Sequence, residues 1–114
     1  MKILIDTYGA DEGSQVIIEG ALLAKQKIDF TPVFIGNERE IKLIIHDRIH
    51  DYEIIATNEY ISNDEDPVRA IRRKKDASIV LAYEKSKEDE YDGLISAGST
   101  GAILSGGLFL AGRI

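Results

Sequence analysis

The chain has 114 residues, 44% hydrophobic and 30% charged, enough for one domain with a core of its own but not for two. It contains no cysteine, which excludes disulfides and thiolate metal sites, and its net charge of −6 disfavours nucleic acid as a partner. No run approaches the ~20 apolar residues of a membrane span, and the opening Met1-Lys2-Ile3-Leu4-Ile5-Asp6 lacks the apolar core of a signal peptide, so the expected location is the cytoplasm.

Residues 2–6 read as a short strand, and residues 8–13 as a polar loop carrying Gly9 and Asp11. A helix is expected over 14–27, with Val16, Ile17, Gly20, Ala21 and Ala24 on its inward face and Gly20 marking close packing. Residues 30–35 predict a second strand that ends at Gly36. Asn37, with Glu40 three residues later, has the spacing of a capping box and opens a helix ending near His46. Residues 52–56 form the third expected strand. Asp66 followed by Pro67 supplies an N-cap and a first-turn proline for a short helix bearing the basic run Arg69-Ala70-Ile71-Arg72-Arg73-Lys74-Lys75. Asp76 is the expected cap of a helix over 77–87. The last strand falls at 92–96 and the last helix at 100–111. Strands alternating with helices of this length imply an α/β fold, a three-layer α/β/α domain over 1–114 with a mainly parallel sheet. Ligands of such sheets bind beyond the carboxyl ends of the strands, where the loops after Asp6 and Ser96 fall.

Residues 93–107, Gly-Leu-Ile-Ser-Ala-Gly-Ser-Thr-Gly-Ala-Ile-Leu-Ser-Gly-Gly, pass from an apolar run into a glycine and hydroxyl turn and then into a helical pattern. The amides of Gly98, Ser99, Thr100 and Gly101 can converge there on an oxyanion, for which phosphate is the natural guest. The same amides also suit a plain strand-to-helix turn with no ligand. Arg69, Arg72, Arg73 and Asp76 fall at i, i+3, i+4 and i+7 on one helix face. These arginines either line an anion site or guide an acidic partner; a solvated helix end complementing the macrodipole is the third reading. Asp6 and Asp11 are strand-end carboxylates of the kind that bind Mg2+, orient a base or hold a loop, and loop-holding is the role expected of Asp11. No third acidic ligand is spaced to complete a metal site, and His46 and His50, four apart, read as exposed imidazoles at a helix end, so no metal is assigned. Tyr8, Tyr52, Tyr60, Tyr83 and Tyr91 lack the regular spacing of a stacking platform for single strands.

Four motifs occur in one order: Asp6-x-x-Gly9-x-Asp11, then Glu19-Gly20-Ala21-Leu22-Leu23-Ala24, then Asp64-Glu65-Asp66-Pro67-Val68-Arg69-Ala70-Ile71-Arg72-Arg73-Lys74-Lys75-Asp76, then Ser96-Ala97-Gly98-Ser99-Thr100-Gly101-Ala102. In that order they resemble the amino-terminal part of the phosphate acyltransferases of bacterial phospholipid synthesis, the PlsX family. The resemblance runs the length of this chain and about the first third of a family member. Two places depart from the family pattern: Thr7-Tyr8-Gly9-Ala10 stands where it reads Ala-Met-Gly-Gly, and Ser99 where it reads Asn.

The resemblance implies the amino-terminal part of a phosphotransacetylase- and isocitrate-dehydrogenase-like fold. It implies reversible transfer of a fatty acyl group between acyl carrier protein and inorganic phosphate, without a cofactor. It further implies a homodimer, and peripheral membrane association through a later segment. Under it, Arg69, Arg72 and Asp6 are catalytic candidates, Gly98, Ser99, Thr100 and Gly101 bind phosphate, Gly9, Asp11 and Asp66 shape loops, and Arg73, Lys74 and Lys75 are candidates for docking the carrier. The chain is then expected to be an amino-terminal fragment of a longer enzyme. A noncatalytic phosphate- or nucleotide-binding α/β module is the alternative.

Overall fold

The strands carry apolar residues on both faces, as a parallel sheet covered on both sides requires. They are β1 (Lys2–Asp6), β2 (Thr31–Gly36), β3 (Glu53–Ala56) and β4 (Gly93–Ser96), all parallel, in the spatial order β3-β2-β1-β4. The computed structural model describes residues 1–8, 13–62 and 64–96. The helices are α1 (Ser14–Lys25), α2 (Glu38–Ile45), α3 (Pro67–Arg73) and α4 (Ser78–Ser86).

Side chains alternate across the sheet and so split the core in two. Ile3 and Ile5 of β1 join Phe34 and Ile54 under Ile18 and Leu22 of α1 and Ile41 and Ile45 of α2. Leu4 joins Val33, Ile35 and Leu94 on the opposite face, where Leu81 and Ala82 of α4 cover them. Helix α3 adds an outer piece by setting Ala70 and Ile71 against Ile61, Ala77, Ile79 and Val80. The layers are therefore α1 and α2, then the sheet, then α4 with α3. Phe34, Leu4, Ile18 and Ile35 are fully buried, and each such side chain stabilises the fold by roughly 1.5–3 kcal/mol relative to exposure.

Winding runs outward from β1 through β2 to β3, then returns over α3 and α4 to place β4 on the other side of β1. The direction of winding thus reverses between β1 and β4. Sheets of this type usually bind their ligands at such a reversal, beyond the carboxyl ends of the strands.

Local chemistry explains most of the helix boundaries. Asn37 caps α2 by accepting the Glu40 N–H at 2.8 Å. The reciprocal half of the capping box is absent, because the Glu40 carboxylate accepts the Ser14 hydroxyl at the start of α1 instead. Asp66 caps α3 by accepting the Val68 N–H at 3.1 Å, with Pro67 in the first turn.

Two expectations need correction. Of the expected inward face of α1, Ala21 is buried and Ile17 and Ala24 pack against the core, but Ile18 and Leu22 complete it, whereas Val16 is 47% exposed and Gly20 has no described atom within 4 Å of where a Cβ would sit. Turning Ile18 and Leu22 inward removes more apolar surface from water than the small face containing Gly20 would. The second concerns Asp76, which does not cap α4. Ala77 is the N-cap residue, and the backbone supplies the missing acceptor: the Ser78 N–H donates to the Glu59 carbonyl at 2.9 Å.

Candidate functional site

Asp6 closes β1 on the α4 side of the sheet and is 2% exposed. A carboxylate so placed must be fully hydrogen-bonded. Its Oδ2 accepts the hydroxyl of Ser96, the residue paired with it in register on β4, at 3.1 Å, and its Oδ1 accepts the Tyr8 N–H at 3.0 Å. The Ser78 hydroxyl, in the first turn of α4, is a third hydrogen-bond partner. Burial raises the Asp6 pKa above the ordinary aspartate value, while the hydrogen bonds from Ser78, Tyr8 and Ser96 pull it back. One side chain thereby fastens β1, β4 and α4 together at the winding reversal.

Thr7 follows, 1% exposed, with its Oγ1 donating to the Ile35 carbonyl at 2.9 Å. Only glycine fits beside it: a Cβ on Gly36 would lie 2.0 Å from that Oγ1. Tyr8 then turns toward the end of β3. Its hydroxyl donates to the Thr57 carbonyl at 3.2 Å, and its ring stacks on Tyr60 with centroids 4.9 Å apart and planes 16° from parallel. The 57–60 segment is bound in turn to the start of α4, through the Thr57 hydroxyl on the Asp76 carbonyl and the Glu59 carbonyl on the Ser78 N–H.

The basic run sits farther out. Helix α3 buries Ala70 and Ile71 and leaves Arg69, Arg72 and Arg73 exposed. Arg69, Arg73 and Lys74 line a cleft of about 390 Å3 with Glu65, Asp66 and Ala70; Arg72 is not among its walls. Lys74 is already engaged, pairing with Glu65 at 2.7 Å and donating to the Tyr60 carbonyl at 3.2 Å. That pairing holds the Glu65 carboxyl below its usual range, with the Ser62 N–H adding to the effect. Arg69 and Arg73 make no ion pair with a described residue.

The structure thus places the candidates unequally. Asp6 and Ser96 meet at the carboxyl ends of β1 and β4, and Asp66 shapes its loop as the cap of α3. Arg69 and Arg73 share a cleft walled, among the described residues, by residues of α3 and its flanks, with no strand-end residue in it. Lys75 is exposed just beyond the helix. Gly9, Asp11, Gly98, Ser99, Thr100 and Gly101 lie outside the described residues, as does the helix expected over 100–111. His46 ends α2 with φ 51° and pairs with Asp47 at 3.1 Å; no group of three potential metal ligands occurs among the described residues. Likewise, no helix among them is long and apolar enough to cross a membrane.

Sequence reasoning overlooked Ser78, Thr57 and the Tyr8–Tyr60 stack. Ser78 reads locally as an ordinary first-turn residue, and the tyrosines meet only because β1 and β3 end on the same edge of the sheet.

A family model described as fatty acid synthesis protein matches residues 1–114. The chain belongs to this family. Among curated relatives it is 50% identical over 117 residues to a phosphate acyltransferase of Enterococcus faecalis and 48% identical to one of Lacticaseibacillus casei. A third, from Finegoldia magna, is 43% identical over 115 residues. Each alignment covers 100% of this chain but 33% to 35% of the relative, so the chain spans about a third of the length of the proteins it matches. The motif order from Asp6 to Ala102 therefore marks the amino-terminal part of a phosphate acyltransferase family member.

Proposed function

We propose that the protein acts in lipid synthesis as a phosphate acyltransferase, passing a fatty acyl group from acyl carrier protein to inorganic phosphate. The observation that carries this reading is the end-to-end match to relatives named phosphate acyltransferase, over a sheet whose winding reverses where Asp6 meets Ser96. Phosphate is already an oxyanion at neutral pH, so the site needs to position it against a thioester rather than generate a nucleophile. A phosphate oxygen attacks the thioester carbonyl carbon, the C–S bond breaks, and the carrier leaves as a thiol while the acyl group remains on phosphate. No cofactor is needed for that exchange.

In this proposal residues 98–101 hold the phosphate with their amides and with the hydroxyls of Ser99 and Thr100. Asp6 acts beside them as a positioning residue, because its oxygens are committed to Ser96, Tyr8 and Ser78. Arg69 and Arg73 receive the acidic carrier. Their cleft has no described strand-end wall, which favours docking over a place at the reacting atoms.

Titration calorimetry on the full-length protein tests both halves. Gly98→Leu should abolish phosphate binding, and unchanged affinity would remove the turn from the site. Arg73→Glu should weaken carrier binding in a salt-dependent way and leave kcat at saturating carrier intact. A loss confined to kcat would instead place Arg73 at the chemistry.

A further inference from the structure

Tyr8 and Tyr60 join two parts of the molecule that the proposed function uses separately. Tyr8 touches the buried carboxylate directly, through its N–H to Asp6 Oδ1 at 3.0 Å. Its ring lies flat on Tyr60, and its hydroxyl holds the Thr57 carbonyl at the end of β3. Tyr60 in turn accepts Lys74 Nζ on its carbonyl at 3.2 Å, and Lys74 pairs with Glu65, both of them walls of the cleft that Arg69 and Arg73 line. A continuous path of contacts therefore runs from the Asp6 end of β1 to the cleft lined by Arg69 and Arg73.

The placement of the stack distinguishes it from core packing. Tyr60 is 46% exposed, and neither tyrosine belongs to the buried clusters that cover the two faces of the sheet. The contact joins Tyr60 to the residues that follow β1, and the Tyr60 carbonyl is bound by Lys74, the C-cap of α3.

We propose that Tyr8 and Tyr60 are positioning residues whose stacked rings hold the Arg69–Arg73 cleft in register with the Asp6 end of the sheet, so that a carrier docked on one presents its thioester to the other. The assignment rests on the acyl-transfer reading for its ligand, but the mechanical link between Tyr60 and α3 stands apart from it.

The experiment uses the full-length protein and three variants, Tyr60→Ala, Tyr60→Phe and Tyr8→Phe. Steady-state kinetics with an acylated carrier and phosphate give KM and kcat, and amide hydrogen exchange follows Pro67–Arg73. Tyr60→Ala should raise KM for the carrier roughly fivefold, the size expected of one aromatic pair, with kcat retained. Exchange in α3 should quicken. Tyr60→Phe should restore both, and Tyr8→Phe, which keeps the stack but removes the bond to the Thr57 carbonyl, should raise KM less than Tyr60→Ala does. Unchanged KM in Tyr60→Ala, or a fall in melting temperature with KM unmoved, overturns the proposal. So does failure of Tyr60→Phe to rescue. Should the unmodified protein form no acyl phosphate, the acyl-transfer reading fails, and the exchange measurement alone decides the link: faster exchange in Tyr60→Ala supports it, and identical exchange overturns it.

Discussion

At the scale of single residues, Asp6 makes the sharpest demand on solution behaviour. Burial lifts its pKa in the folded state above the ordinary 3.8, so the folded protein binds this proton more tightly than the unfolded chain does. Stability attributable to Asp6 is therefore greatest below 3.8 and is lost as the pH rises through the raised value. Glu19, Asp47, Asp51 and Glu65 act in the opposite sense, their pKa values being lowered by Arg48, His46, Lys25 and Lys74. The difference between the protein and Asp6→Asn isolates the one group. Melting temperatures from pH 3 to 7 should show Asp6→Asn gaining on the unmodified protein as the pH rises, and a constant difference would contradict the account. Gly36 offers a second test. Gly36→Ala should destabilise by about 1–3 kcal/mol in urea unfolding, through overlap with the Thr7 hydroxyl, and Thr7→Ala in the same chain should recover part of the loss. Asp6 was legible in the sequence as a strand-end carboxylate. Its three donors were not, because Ser78 and Ser96 reach it only after the chain has crossed the sheet.

At the scale of elements, legibility followed how local the chemistry is. Asn37 and Asp66 announce α2 and α3 because a cap and its acceptor lie within a turn of each other. The start of α4 was misread for the converse reason: its first N–H is satisfied by Glu59, which no local pattern reveals. The inward face of α1 was read only in part, right for Ile17, Ala21 and Ala24 and wrong for Val16 and Gly20, because Val16, Ile17, Ile18, Ala21, Leu22, Leu23 and Ala24 leave more than one apolar stripe to choose from. Gly20 now yields a prediction opposite to close packing. Gly20→Ala should stabilise this chain by about 0.5–1 kcal/mol in urea unfolding, and a loss of stability would mean that a neighbour does approach it. On α3, Lys74 belongs with the loop it grips as much as with the basic run. Lys74→Met should lower the melting temperature modestly and loosen residues 60–65 in hydrogen exchange, whereas Lys75→Met should do neither.

At the scale of the whole molecule, an acidic chain presents a basic cleft on one helix and a buried carboxylate at the reversal of its sheet. The first feature suits an acidic macromolecular partner, and the second lies where α/β sheets bind small ligands. The chain matches phosphate acyltransferases over about a third of their length, and the proposed acyl transfer would use the two features together. The central claim is acyl transfer to phosphate. Its most direct test is the release of free carrier thiol from an acylated carrier by the full-length protein, measured as phosphate is varied. Release should require phosphate, saturate with it and be matched by an equal amount of acyl phosphate. Release without phosphate, or phosphate binding with no release at all, would contradict the claim.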